Sequence, residues 1–202
     1  PQLSRDQRDF LEAPFSYQEL AAAVAQAANG KAPGLDGLSY EFYRAALPLV
    51  GPPLLAALNG MLETGELTHS LRQGVVRLLP KVAGTPTAAQ LRPITLLCTD
   101  YKLLTKMLTS RLLSVLPSVL LSTQMCSVKG RSIFDGAAAV LSAADFLQQH
   151  QRPGFLLSLD FFHAYDRVCL AWVDRVLEAM GFGGVFRRWV LTLHKGASAR
   201  FM

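Results

Sequence analysis

The chain has 202 residues, of which 50% are hydrophobic, and its mean hydropathy is +0.25. This length allows a sizeable core in one domain or two closely packed subdomains, and the composition excludes disorder for most of the chain. The net charge of +5 is compatible with a polyanionic partner but does not require one. No stretch is predicted to cross a membrane, because the most apolar run, residues 45–58, is short and contains three prolines.

Capping residues and glycines organise the first third of the chain. Residues 1–15 are predicted to be a linker. Ser16-Tyr-Gln-Glu19 has the pattern of a capping box, which predicts a helix through residue 29 that ends at Gly30. A Gly/Pro-rich turn follows at residues 31–37. Two further helices are predicted at residues 40–47 and 54–63.

The remaining segments alternate between strand and helix patterns. Apolar runs rich in β-branched residues predict strands at 74–80 and 92–96. Apolar residues at helical spacing predict an amphipathic helix over 101–116. Residues 155–159 read as a strand buried on both faces that places Asp160 at its end. Further helices are predicted at 135–149, 170–180 and 185–194, and a final strand is predicted to begin at Ser198.

Asp160 is the clearest candidate for a catalytic or metal-binding residue. Divalent cations that assist phosphoryl transfer take oxygen ligands, and a carboxylate at the end of a rigid strand is a well-positioned one. Tyr165 follows five residues later, and Asp166 comes directly after it. Strands ending in Asp also occur in other phosphotransferases, in receiver domains and in haloacid-dehalogenase-type phosphatases. The last class has a second Asp where Phe162 stands here. Asp166 precedes a helix, so a capping role is favoured over metal binding.

The spacing Asp-x-x-x-Ala-aromatic-Asp after an apolar run resembles the first catalytic motif of LINE-type (non-LTR) retrotransposon reverse transcriptases. The resemblance implies that Asp160 is catalytic and binds magnesium. It implies that Tyr165 lies under the sugar of the incoming nucleotide and disfavours a 2′-hydroxyl. The backbone at Phe161 and Phe162 would line the triphosphate.

Upstream segments occur in the order that this family requires. Residues 31–37 resemble its Gly-Pro-Asp-Gly motif, and residues 124–135 resemble its Gln-x-Gly-Phe-x-x-Gly-Arg-Ser motif, with departures at Cys126 and Ser127. In the two fingers strands, Lys81 and Arg92 would bind the incoming triphosphate, Arg92 through its planar fork. A solvated basic residue at a strand end is the alternative for both, and it explains Lys81 equally well. A solvated helix face explains the basic residues of the 101–116 helix equally well. The basic residues that the resemblance assigns to nucleic acid are Lys31, Lys102, Lys106, Arg111, Lys129 and Arg131.

The resemblance implies an α+β fold, namely a helix-rich right-hand polymerase fragment with short antiparallel fingers strands and an incomplete palm sheet. Residues 16–150 would form an N-terminal extension and fingers, and residues 151–202 the start of the palm. The expected partners are an RNA template, a DNA primer and dNTPs, with Mg²⁺ as cofactor, no membrane, and an intracellular location, nuclear or cytoplasmic.

The 202 residues contain no Asp-Asp pair, whereas the family takes further carboxylates from an aromatic-x-Asp-Asp motif. We therefore expect a reverse transcriptase fragment that does not polymerise alone. One alternative is a non-catalytic, truncated or domesticated remnant that binds nucleic acid. Another is an unrelated metal-dependent phosphotransferase that uses Asp160 alone.

Overall fold

The structure is a computed structural model that describes residues 1–81, 84–85, 87–162 and 164–201, apart from the side chains of residues 89, 165 and 166. Helices dominate it. In chain order they are α1 (Arg5–Glu12), α2 (Tyr17–Ala25), α3 (Tyr40–Thr64), α4 (Thr99–Val119), α5 (Ile133–Gln149), α6 (Ala164–Arg167), α7 (Leu170–Ala179) and α8 (Gly184–His194).

Three strands form a small mixed sheet: β1 (Gln73–Pro80), β2 (Leu91–Leu97) and β3 (Ser198–Phe201). Their order is β2-β1-β3, with β1 antiparallel to β2 and parallel to β3. The predicted strands at 74–80 and 92–96 are thus confirmed, as is the strand beginning at Ser198. The helix-rich α+β architecture agrees with the predicted fingers and palm fragment.

Two capping boxes start the N-terminal helices. Ser16 caps α2 by accepting from the Glu19 amide, while the Glu19 carboxylate accepts from the Ser16 amide, as predicted. The helix ends at Ala25, earlier than predicted. Ser4 and Gln7 make the same reciprocal pair ahead of α1. The predicted linker at residues 1–15 therefore contains a helix, and its Ser-x-x-Gln signal was visible in the sequence.

The predicted division of residues 40–63 into two helices is wrong, because α3 runs without interruption through Pro48, Pro52 and Pro53. Tertiary packing holds the helix together, with Tyr43 and Leu58 buried in the core. By length and composition α3 is the one helix in the described ranges that could cross a membrane, contrary to the prediction from residues 45–58. Core helices of globular domains meet the same criterion, so the finding is weak evidence for a membrane span.

The core lies where α1, α2 and α3 pack against α4 and where α8 packs against α1 and α3. Its largest fully buried side chains include Trp189 and Phe186 of α8 and Leu103 and Met107 of α4. The Phe15 ring packs against Trp189 with 5.8 Å between ring centroids. The amphipathic pattern predicted over residues 101–116 identified α4 correctly, since one of its faces is fully buried.

The predicted strand at residues 155–159 is absent from the structure. These residues have no strand partner among the described residues, and their apolar side chains face solvent, with Phe155 94% and Leu159 78% exposed. An apolar run becomes a buried strand only when neighbouring strands and a covering layer accept it. Helices α5 and α7 likewise contain no buried residue.

Candidate nucleotide and nucleic-acid interface

The hairpin formed by β1 and β2 brings two predicted triphosphate ligands together. Leu79 lies opposite Arg92, and the ladder continues beyond β1 with a hydrogen bond of 2.8 Å from the Lys81 amide to the Gln90 carbonyl. Side chains alternate along a strand, so Lys81 and Arg92 project from the same face of the hairpin. Both are exposed. The hairpin therefore carries two neighbouring cations at its outer end, as a phosphate-binding site requires.

Asp160 lies on an exposed segment outside any helix or strand. Phe161 and Phe162 beside it are 83% and 70% exposed, and the Arg167 guanidinium lies 5.4 Å from the centre of the Phe162 ring. Among the described side chains, Asp160 joins no cluster of metal-ligating groups. One solvated carboxylate does not amount to a two-metal site. The described residues therefore supply one carboxylate of such a site, and no catalytic step follows from that carboxylate alone.

Tyr165 falls in the short helix α6, but its side chain lies outside the described residues, as does that of Asp166. The assignment of Tyr165 to the nucleotide sugar stays a prediction. The helix that follows, α7, has Cys169 as its N-cap. The prediction that Asp166 caps this helix is therefore wrong.

Arg111 does not face a template. Only 4% of its side chain is exposed, and its Nε and Nη2 atoms donate to the two carboxylate oxygens of Glu19 at 2.5 and 2.8 Å. The other donors reach backbone carbonyls at the end of α1, including those of Ala13 at 2.5 Å and Pro14 at 2.9 Å. The Phe15 ring covers the guanidinium at 4.6 Å. Arg111 therefore joins α1 and α2 to α4, and the nucleic-acid role predicted for it is wrong.

The Glu19 carboxylate is the counterpart of this buried cation. Partial burial alone would raise the pKa of Glu19, but hydrogen bonds from Arg111 and from Ser16 outweigh it and lower the pKa. The carboxylate is therefore charged at neutral pH, which completes a bidentate ion pair.

Lys102 and Lys106 of α4 both point toward the N-terminal segments. Lys102 Nζ donates to the Ala32 carbonyl at 2.8 Å and lies 5.7 Å from the centre of the Tyr40 ring. Burial lowers the pKa of Lys102. Lys106 Nζ approaches the Gln26 carbonyl at 3.4 Å. Lys102 thus holds the Gly/Pro turn against α4, while Lys31 on that turn is exposed.

Arg131 is also used inside the protein. Its guanidinium donates to the carbonyls of Leu120, Leu121 and Gln124, which follow the end of α4. Lys129 is exposed. Ser127, which stands where the family has a different residue, adopts a left-handed backbone with φ of +61°. Such a conformation is costly for a residue other than glycine, so this loop is locally strained.

A group of potential ligands lies where the Gly/Pro turn meets α4. The ligand atoms of Asp36, Cys98 and Asp100 are within 4.8 Å of one another. Burial raises the pKa of Asp100, with the Asp36 charge adding to the effect, and burial also raises the pKa of the Cys98 thiol. Both groups hold their protons more tightly than usual, which does not favour cation binding. Of the cysteines, only Cys98 is buried, whereas Cys126 and Cys169 are exposed.

The amino-acid sequence of this chain is similar to those of known proteins. The family model described as reverse transcriptase (RNA-dependent DNA polymerase) matches residues 79–201. The chain therefore belongs to the reverse transcriptase family. It is also 34% identical over 197 residues, 98% of its length, to the uncharacterized 149 kDa protein of transposon TX1 from Xenopus laevis. The resemblance to LINE-type reverse transcriptases is confirmed. The chain spans 15% of the length of this relative.

Proposed function

We propose that this chain is the fingers and front palm of an RNA-directed DNA polymerase, in which the β1–β2 hairpin binds the triphosphate of the incoming dNTP. The observation that carries the proposal is the register that places Lys81 and Arg92 on one face of the hairpin. A cationic pair of this kind neutralises phosphate charge and positions it, and positioning with charge neutralisation accounts for most of the catalysis in phosphoryl transfer. Arg92 supplies two parallel donors, and Lys81 supplies a point charge.

Asp160 would contribute one carboxylate to a magnesium site that needs further carboxylates, and the resemblance assigns Tyr165 to the sugar of the nucleotide. Magnesium supplies charge neutralisation at the phosphates when it is bound. On this proposal the 202-residue chain does not polymerise alone, because one carboxylate does not hold two cations.

The test uses the complete protein in which this sequence occurs, in primer extension on an RNA template with dNTPs and Mg²⁺. Asp160→Asn is expected to lower the extension rate by on the order of a thousandfold, because it removes a charge that acts on the transition state. Asp145→Asn is the matched control, since Asp145 is an exposed acid on α5. Extension that survives Asp160→Asn at the rate of the control would refute the catalytic assignment.

A separate measurement tests the hairpin. Arg92→Lys keeps the charge but loses the bidentate fork, so the KM for dNTP is expected to rise by about tenfold at an Arg–phosphate contact. An unchanged KM for dNTP would remove Arg92 from the triphosphate site and leave the role of Asp160 intact.

A second function, nucleic-acid binding without polymerisation, is favoured by one observation. Asp160 is an isolated, solvated carboxylate in the described structure. Salt-sensitive RNA binding by the complete protein, with no extension under any metal condition, would support this function over polymerase activity.

A further inference from the structure

Gln90 joins the end of β1 to the start of β2 at the outer end of the hairpin. Its backbone amide donates to the Thr87 carbonyl at 2.9 Å, and its carbonyl accepts from the Lys81 amide at 2.8 Å. Its side-chain Oε1 accepts from the Thr87 amide at 2.9 Å and from the Thr87 hydroxyl at 3.2 Å. Four hydrogen bonds therefore meet at one residue, which lies in the chain between Lys81 and Arg92.

The local sequence explains why Gln90 occupies this position. Thr87-Ala-Ala-Gln90 has the Thr-x-x-Gln pattern of a capping box, in which the last side chain bonds back to the first amide. The pattern starts a single 3₁₀ turn, Ala88–Gln90, and the Leu91 amide donates to the Ala88 carbonyl at the end of that turn. Because β2 begins at Leu91, the conformation of Gln90 decides how the chain enters this strand.

Hydrogen bonds rather than core packing hold this end of the hairpin. The buried residues of β1 are residues 74–76, at the opposite end of the strand, and β2 has no buried residue. Lys81, Gln90 and Arg92 are exposed, as is Thr87. In the described part of the hairpin, buried contacts therefore do not compensate for a loss of the hydrogen bonds to Gln90.

Phosphate binding by Lys81 and Arg92 requires a fixed geometry. The guanidinium fork of Arg92 binds two phosphate oxygens only in the correct orientation. Supporting residues have to hold such a group within about 0.5 Å of its productive position. Gln90 bonds to the Lys81 backbone and lies two residues before Arg92, so a displacement of Gln90 moves both cations. A hairpin that adopts the productive geometry for a smaller fraction of the time binds its ligand more weakly by the same factor.

We propose that Gln90 is a positioning residue for the incoming dNTP. Its side chain holds the turn that begins at Thr87 and thereby keeps Lys81 and Arg92 side by side before the nucleotide binds. The neutral amide of Gln90 neutralises no phosphate charge, so its effect is exerted through the two cations. The proposal rests on the proposed function, because it takes the hairpin to be the triphosphate site.

The first test measures the KM for dNTP in primer extension by the complete protein. Gln90→Met keeps the length of the side chain but removes the acceptor, and loss of a capping interaction changes an equilibrium constant by roughly 2- to 30-fold. This loss passes to nucleotide binding because exposed hydrogen-bonded segments are only marginally stable. We expect the KM to rise by about fivefold and kcat to change by less than about twofold. Gln18→Met is the matched control, since Gln18 is an exposed residue on α2, and a KM no higher than that of the control would overturn the proposal.

The second test asks whether Gln90 acts through Arg92. In the Arg92→Lys background the bidentate fork is already absent, so Gln90→Met is expected to raise the KM for dNTP by no more than about twofold. A double variant whose KM rises by the product of the two single effects would show that Gln90 acts independently of Arg92, which would contradict a positioning role.

The third test needs no nucleotide, and it separates positioning from direct contact. Amide hydrogen exchange, followed by mass spectrometry of peptides from the hairpin, reports on the Lys81 and Thr87 amides that donate to Gln90. In the nucleotide-free complete protein, these amides are expected to exchange about fivefold faster in Gln90→Met. Gln90→Glu retains the acceptor and gives the capping-box pattern Thr-x-x-Glu, so it is expected to keep the protection of the unaltered protein. Unchanged exchange in Gln90→Met would overturn the proposal even if the KM rises, because the side chain would then act by touching the nucleotide.

Failure of the proposed function is distinguishable from failure of this role. An unchanged KM for dNTP in Arg92→Lys removes the triphosphate site, and the role of Gln90 with it. A raised KM in Arg92→Lys combined with an unchanged KM in Gln90→Met retains the site and overturns only the role of Gln90.

Discussion

Replacing Arg111 tests whether this residue stabilises the fold or binds nucleic acid. In Arg111→Ala, the Glu19 carboxylate loses both guanidinium donors, and the Ala13 and Pro14 carbonyls lose theirs. Phe15 also loses the planar group that lies 4.6 Å from its ring centre. We expect the chain to be destabilised and its RNA affinity to be unaffected at temperatures where it remains folded.

The expected loss in the free energy of unfolding follows from the burial of this ion pair. Removing one partner of a buried ion pair costs about 3–5 kcal/mol, because the other partner is left without compensation. The partial exposure of Glu19, at 26% of its side chain, allows some rehydration and places the value at the lower end, about 3 kcal/mol. With a urea dependence of about 2 kcal/mol per molar, the unfolding midpoint should fall by roughly 1.5 M.

The assay is urea unfolding followed by circular dichroism, with Arg5→Ala as the control. Arg5 makes an ion pair with Asp9 at 3.8 Å, but its side chain is 86% exposed. Loss of such a surface pair costs about 0–1 kcal/mol. A double-mutant cycle with Glu19→Gln measures the coupling within the buried pair, for which we expect about 2 kcal/mol.

Two results would refute the reasoning. One is a change in the free energy of unfolding no larger than that of Arg5→Ala. The other is a folded Arg111→Ala chain whose RNA binding loses about 0.7 of salt slope, which is the loss expected for one phosphate contact. The second result would restore the assignment of Arg111 to the template.

Two further substitutions test the junction between the Gly/Pro turn and α4. Because burial raises the pKa of Asp100 above its unfolded value, the folded chain binds a proton more tightly and loses stability as pH rises from about 4 through the folded pKa. Asp100→Asn should therefore be at least as stable as the unaltered chain at pH 7 and lose that advantage below pH 4. Unfolding midpoints measured across this pH range test the prediction, and a difference in stability that does not change with pH would contradict it. Gly34→Ala should cost about 1–3 kcal/mol in thermal unfolding, because a Cβ there would overlap the Cys98 backbone. Gly60→Ala on α3, where a Cβ meets open space, should instead stabilise by about 0.5–1 kcal/mol, and equal effects at the two glycines would refute the packing argument.

The sequence was most informative where structure depends on neighbouring residues along the chain. The Ser16 capping box, the helical spacing of α4 and the β-branched run of β1 predicted their elements because backbone conformation there follows local hydrogen bonds and periodicity. The same local logic would have found α1 from Ser4 and Gln7. Ordered motifs also identified the family, which the comparisons confirm.

Only the tertiary structure decided which basic residues are available to a ligand. Arg111 and Arg131 look like the other cations in sequence, but distant carbonyls and a carboxylate occupy their guanidinium groups. Conversely, Arg77 shares a face with Lys81 by simple alternation, whereas Arg200 joins that face only through the register of β3 against β1. Strand register depends on contacts between segments far apart in sequence, which local patterns do not encode.

The apolar run before Asp160 also shows that local patterns do not encode contacts between distant segments. Its composition specifies a strand that is buried on both faces, but a strand forms only against partners, and the described residues place none beside it. The three prolines of α3 led to the opposite error, since their low helix propensity predicted a break in the helix. Core packing around Tyr43 and Leu58 keeps the helix continuous. The sequence by itself therefore determined the family, the local helices and the hairpin, while long-range packing decided which side chains are buried and which are exposed.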